Sequence, residues 1–421
     1  MTSADPVQPS RDHRERSKGA EQASITADAV ARRSYGKLVA FLVARTHDVA
    51  AAEDALSEAF ASALANWPIH GCPNNPEAWL LTAARRRMID FMRRRRRDET
   101  ASDQLRIMSE GLAASTDAEI PDQRLALMFA CAHPAIEAGI RAPLILQVVL
   151  GLEAKTIASA FLTSPAAMSK RLVRAKDKIR QAGIPFSIPA REELPARLET
   201  VLDAIYAAFT EGWTDPAGTD AARRDLTEEV MFLARLATEL LPKEPEALGL
   251  LALMLHAEAR RPARRNADGE YVPLAEQDPA TWDSKMIAEA EALLLRASAL
   301  GSLGRYQLEA ALQSAHVHRS RSGQANWEEV VQLYDALFAI SASPVIAINR
   351  ALALGSLEAM PDIAADARLA EYQPYWAARA ELLVKAGDRT QAREAYEIAI
   401  GLERDPAVRR FLQKRQSLIR T

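Results

Sequence analysis

Apolar residues recur at steps of three and four along most of the chain, which places them on one face of an α-helix. Residues 31–46 and 49–67 read as two helices, the second with Leu56, Phe60, Ala63, Leu64 and Trp67 on its apolar face. Glu53, Asp54, Ser57 and Glu58 fall elsewhere on that helix. Residues 68–76 hold three prolines and a glycine, which predicts a loop. A third helix over 79–98 is striped by Leu81, Ala84, Met88 and Met92, and eight arginines, 85–87 and 93–97, crowd the rest of it. Two or three cations would complement a helix dipole, and eight exceed that need. Guanidinium is planar, permanently charged and suited to phosphate, so this helix is a candidate for nucleic-acid contact.

Flanking segments lack such stripes. Residues 1–27 are polar and charged and read as a disordered arm, and 99–121 read as a linker with a short helix near Leu105. Helical periodicity resumes over 123–133 and 138–150. A short helix over 155–161 and a turn at 162–164 then lead into a helix over 165–180. Ser164 is placed to cap that helix and Pro165 suits its first position. Met168, Leu172, Ala175 and Ile179 face inward, leaving Lys170, Arg171, Arg174 and Lys178 outside the stripe. Two short helices with a tight turn, the second cationic, predict a DNA-binding helix-turn-helix.

Residues 185–195 are proline-marked and read as a boundary, beyond which the chain stays helical. Helices are expected over 198–210, 226–241, 245–260, 287–300, 306–316, 327–340 and 345–354. The closing pair over 375–406 has Gly387 at its turn, Ala392, Tyr396 and Ala399 in its second helix, and Pro406 at its end. That pattern is similar to a tetratricopeptide repeat, so an α-solenoid-like extension is expected over 186–421. Within 261–281, Asn266, Asp268 and Gly269 faintly resemble a calcium loop, but the remaining ligand spacing is missing and a turn is expected.

Charge divides the chain. Up to residue 185 there are 26 Lys+Arg against 21 Asp+Glu, and beyond it 27 against 35. A basic front and an acidic back point to different partners. Two cysteines, Cys72 and Cys131, make neither a disulfide framework nor a metal site and fit a reduced cytoplasmic compartment. No apolar run reaches membrane-spanning length. His316 and His318 lie two apart on different faces with no third ligand nearby. Phosphate-cradling, zinc-binding and nucleophile-elbow motifs are missing, so no enzyme, cofactor or metal is expected. The residues alone leave two readings: a duplex-DNA regulator acting without polymerase, and a helical-repeat scaffold with a nucleic-acid-binding front.

Three segments taken in order, AEDALSEAFASALANW, EAWLLTAARRRMIDFMRRRR and TIASAFLTSPAAMSKRLVRAKDKIR, resemble the two domains of a bacterial sigma factor of the extracytoplasmic-function group. The likeness covers about 31–184, and the long helical continuation resembles one subgroup. The resemblance implies an all-α chain, with one domain over 28–98 for core RNA polymerase and the minus-ten element. A helix-turn-helix domain over 122–185 would serve the minus-thirty-five element. It implies polymerase contact at Glu53, Asp54 and Glu58, and a loop with Ile69, His70 and Asn74 that receives an unstacked base. DNA contact would fall to Arg85, Arg86, Arg87, Arg93, Arg94 and Arg97 and to Lys170, Arg171, Arg174 and Lys178. The resemblance thus implies a polymerase specificity subunit with core polymerase and promoter DNA as partners, and a regulatory protein or ligand would act at the extension. Leu162, where many helix-turn-helix proteins place glycine, is a departure.

Overall fold

The computed structural model describes residues 11–98, 122–161, 163–190, 192–213 and 221–419, without side chains at 11–18, 91–98, 159–160 and 221–225. The expected linker over 99–121 and Leu162 lie outside the described residues. Among the described residues all regular elements are helices, and Arg265 and Tyr271 form an isolated β-bridge. The all-α expectation holds. The chain forms two compact units, one running up to Gly212 and adding Ala221–Leu233, the other taking the remainder.

The first unit begins with three mutually packed helices, α1 Arg11–Thr46, α2 Val49–His70 and α3 Pro76–Asp98. His47 adopts φ +53, a left-handed turn that ends α1, and the Asp48 carboxylate then caps α2 by accepting from Ala51 N at 3.0 Å. Leu38, Leu42, Leu56, Leu80, Ala84 and Met88 fill the core between them. Trp67 and Trp79 meet edge-on with ring centroids 5.5 Å apart, joining the end of α2 to the start of α3.

Two expectations are corrected here. Residues 11–27 are helical, because Ala23 and Ala27 bury completely or nearly so and Gly19 lies against the Pro68 carbonyl. A helix whose buried face is alanine and glycine has no bulky stripe to read. The loop expected from residue 68 starts instead at Gly71, because Gly71 N still donates to Trp67 O at 2.9 Å and Pro68 is carried inside α2. Ile69 and His70 are therefore the last residues of a helix.

The first unit continues with α4 Arg124–Cys131, α5 Ala138–Val148, α6 Ala154–Ala160 and α7 Pro165–Gln181. Ser164 caps α7, accepting from Ala167 N at 3.3 Å, and all four expected inward residues are buried. α1 approaches α5 at backbone distance: a β-carbon at Gly36 would collide with the Val149 carbonyl. The boundary expected near residue 186 falls inside this unit, which also takes α8 Leu194–Trp213 as far as Gly212, with Leu198, Val201, Leu202, Ile205 and Phe209 buried. It ends within α9 Ala221–Leu240.

The second unit is a succession of helices: α10 Pro245–Ala259, α11 Ser284–Ser298, α12 Arg305–Ser322, α13 Trp327–Ile340 and α14 Pro344–Leu354. α15 Gln373–Ala386, α16 Arg389–Leu402 and α17 Pro406–Ser417 complete it. α10 is apolar on nearly every side and is packed against both α11 and α12. Gly387 turns α15 into α16 at φ +84, and Tyr396 donates to Glu381 Oε1 at 2.6 Å across that pair. In the loop after α10, Asn266 Oδ1 accepts from Asp268 N and Glu270 N, and Gly269 takes φ +75. The Asn266 side chain is thus spent on an Asx-type turn.

Candidate polymerase and nucleic-acid interface

The acidic residues of α2 separate into two groups. Asp54 and Glu58 are exposed, as the sequence suggests. Glu53 is not: its carboxylate accepts from Lys176 Nζ of α7 at 2.5 Å, and both side chains are largely buried. Burial pushes the Glu53 carboxyl above its ordinary pKa, against the pull of Lys176. Glu53 therefore joins α2 to α7, and of the three acids Asp54 and Glu58 stay open to solvent, while Leu64, expected on the apolar face of α2, is 48% exposed.

The arginines of α3 also divide. Arg85 is buried, its guanidinium 4.9 Å above the Phe41 ring, and burial lowers its pKa. It belongs to the core and not to a DNA-facing surface, because position 85 follows Leu81 by four and precedes Met88 by three on the apolar stripe. Arg86 and Arg87 are exposed, and Arg87 Nε reaches Glu58 Oε2 at 3.3 Å. Both partners of that pair are more than half exposed, so solvent screens it to little net value. Arg93, Arg94 and Arg97 lie on α3, with side chains outside the described residues. Ile69, 75% exposed, stands with exposed His70 and Asn74 beside the turn into α3. The neighbouring Asn75, which sequence reasoning passed over, supports that turn by accepting from Ala78 N at 3.1 Å.

On α7, Lys170, Arg174 and Lys178 are exposed. Arg171 is half-buried and bonded to Glu137 Oε1 at 2.8 Å, so it is not the free reader that its position outside the stripe suggests. At the far end Arg180 spans Asp177 at 2.9 Å and Asp48 at 3.4 Å. The helix expected to read DNA thus touches the α2 helix expected to meet polymerase at two points, Lys176 and Arg180. Long-range pairs of this kind leave no local signal, though Glu53 lies four residues after Val49 and three before Leu56 and so sits on the buried stripe of α2.

A further buried contact joins α4 to α9. Arg124 holds Asp122 through a bidentate pair, closest at 2.6 Å, bonds to Glu229, and stacks 4.8 Å from the Phe232 ring. Burial tends to raise the Asp122 carboxyl pKa, but the hydrogen bonds from Arg124 outweigh it and hold the group below the usual range.

Residues 30–98, which carry the α2 acids and the α3 arginines, match the model of sigma-70 region 2. That match supports a sigma factor and sigma-factor-like engagement of RNA polymerase and promoters. Residues 197–298 match a family of unknown function, DUF6596. An uncharacterized protein of Rhizobium meliloti (strain 1021) is 39% identical over 364 residues, covering 83% of this chain and 86% of its own length. The chain belongs to the same family as that protein. No solved structure matches the chain. Among the described residues no helix is long and apolar enough to cross a membrane.

Proposed function

We propose that this chain is a promoter-specificity subunit that binds core RNA polymerase, recognises and opens particular promoters, and is regulated by its own helical extension. The observation that carries the reading is the sigma-70 region 2 match over 30–98, with exposed Asp54 and Glu58 on one helix and exposed Arg86 and Arg87 on the next. The acidic pair docks on a basic surface of the polymerase. The arginines of α3 bind backbone at the minus-ten element, and Ile69, His70 and Asn74 receive a base drawn from the stack. Such extrusion costs a few kcal/mol per base, which binding of the flipped base offsets. α6 and α7 act as the helix-turn-helix, with Lys170, Arg174 and Lys178 on the minus-thirty-five element. No covalent chemistry is asked of the chain.

Regulation is assigned to the extension, read as tetratricopeptide-like, through the seat of Glu229 and Phe232 on Arg124. Run-off transcription with purified core polymerase tests the whole reading. Promoter-specific transcripts are expected only when the chain is added. Binding of duplex DNA with no association with core polymerase would instead identify a free-standing regulator.

A further inference from the structure

This inference rests on α7 being the reader of duplex promoter DNA. Three of its sides are already occupied. Met168, Leu172, Ala175 and Ile179 face the core, Lys176 and Arg180 are tied to Glu53 and Asp48, and Arg171 is tied to Glu137. What stays open is a ridge that runs through Ala166, Ser169, Lys170, Val173, Arg174 and Lys178.

Val173 is the anomaly on that ridge. Its side chain is 57% exposed, and at the other exposed positions of α7 no large apolar residue occurs. Valine is also a poor choice for an exposed helical site, since a branched β-carbon loses rotamer freedom there. Neither core packing nor helix propensity accounts for it. Lys170 and Arg174 flank it on the same ridge and favour a polyanionic partner. In the major groove of duplex DNA the apolar group displayed by the bases is the C5 methyl of thymine.

We propose that Val173 is a specificity-determining residue that packs against the C5 methyl of a thymine in the upstream promoter element, while Lys170 and Arg174 hold the flanking phosphates or base edges. The helix then reads one position by shape and apolar contact, at a site where hydrogen-bonding side chains would read by donors and acceptors.

The test uses holoenzyme assembled from the full chain and core polymerase, on a promoter that this holoenzyme selects from random DNA. Each thymine of the protected upstream element is replaced in turn by uracil, which deletes the methyl group and nothing else. With the natural chain, one replacement is expected to weaken binding about fourfold, the worth of one buried methyl. Val173→Ala should bind thymine and uracil equally at that position, and Val173→Ile should keep the discrimination. An upstream element without thymine, a natural chain indifferent to every replacement, or Val173→Ala with discrimination intact would each overturn the inference while leaving the sigma reading in place. Absence of any protected upstream element would overturn the inference together with the reading of α7 as the duplex reader, and failure of the holoenzyme to select any promoter would overturn the sigma reading itself.

Discussion

Lys176 Nζ stands 2.5 Å from Glu53 Oε2, a pair 123 residues apart in sequence whose side chains are only 13% and 14% exposed. A pair this buried adds little over apolar packing, but removing one partner strands the other charge. Lys176→Met should therefore cost on the order of 3 kcal/mol in thermal or urea unfolding of the full chain, and Glu53→Gln combined with it should recover most of the loss. Burial already raises the Glu53 pKa, so the folded protein takes up a proton more readily than the unfolded one. The penalty of Lys176→Met should accordingly shrink as pH falls toward the carboxylate range and persist at neutral pH. A penalty that does not change with pH would show that Glu53 is not the stranded charge.

Charge reversal at Asp54 and Glu58 addresses the proposed polymerase surface. Both are exposed, and the Glu58 pair with Arg87 is screened, so the fold should tolerate Asp54→Lys with Glu58→Lys. Titration of labelled chain with core polymerase should show affinity weakened roughly tenfold. Equal affinity, with an unchanged unfolding profile, would remove these residues from the interface.

The arginines of α3 should separate by experiment as they do by burial. Arg86→Ala with Arg87→Ala should weaken binding to all promoter sequences and reduce the slope of log affinity against log salt by about 0.7–0.9 per lost phosphate contact. Arg85→Ala should leave that slope alone and lower the unfolding temperature, because its guanidinium packs on Phe41 inside the helical core.

Acid sensitivity should originate in the second unit. His256 is fully buried in α10, and burial, followed by Arg260 and Arg321, depresses its pKa to about 4. His316 is likewise held at about 4 by burial, then by Arg319 and Arg260. Both should be neutral when folded and protonate more readily when unfolded. Their contribution to stability is complete above the unfolded pKa of about 6.5 and is lost as pH falls from there toward 4. Between pH 7 and pH 5 a loss of about 1–2 kcal/mol per histidine is expected. His256→Gln should flatten that part of the unfolding curve, and an unaltered pH dependence would place the sensitivity elsewhere.

Truncation should reveal where the first unit ends. A chain ending at Ile188 lacks Leu198, Val201, Leu202, Ile205 and Phe209, all buried within that unit, and lacks the Glu229 partner of Arg124. It should unfold at lower temperature and expose more apolar surface to dye than a chain ending at Leu233, the last residue of the unit. In the full-length chain, Glu229→Lys sets a cation against Arg124 and should change promoter-dependent transcription at equal protein level. Unchanged transcription would separate this contact from regulation.

Much of this was legible wherever a local rule acts alone. Ser164, Pro165 and the four apolar residues of α7 specify a helix start and a buried face within one window, and the structure adopts both. Arg85 was legible too, had its position on the Leu81–Met88 stripe outweighed its charge. His256 sits within an uninterrupted apolar segment of α10 and could have been placed in the core on that ground. The helical course of 11–27 was hidden because the residues it is seen to bury, Ala23 and Ala27, are alanines, which resemble a polar segment's filler. The pairings of Lys176 with Glu53, Arg171 with Glu137 and Arg124 with Glu229 depend on which helices come together, and no spacing along the chain encodes that.

Gly36 bears on how this protein can evolve. Inside a helix almost any other residue would strengthen α1 locally, since glycine is a poor helix former. Here each of them would drive a β-carbon into the Val149 carbonyl at the end of α5. Side-chain contacts can drift through compensating exchanges, one partner answering the other. Main-chain oxygen has no substitute to offer, so position 36 has a one-letter alphabet for as long as α1 and α5 keep their seat. Variation in the two halves of the first unit can proceed around that point of contact but not through it.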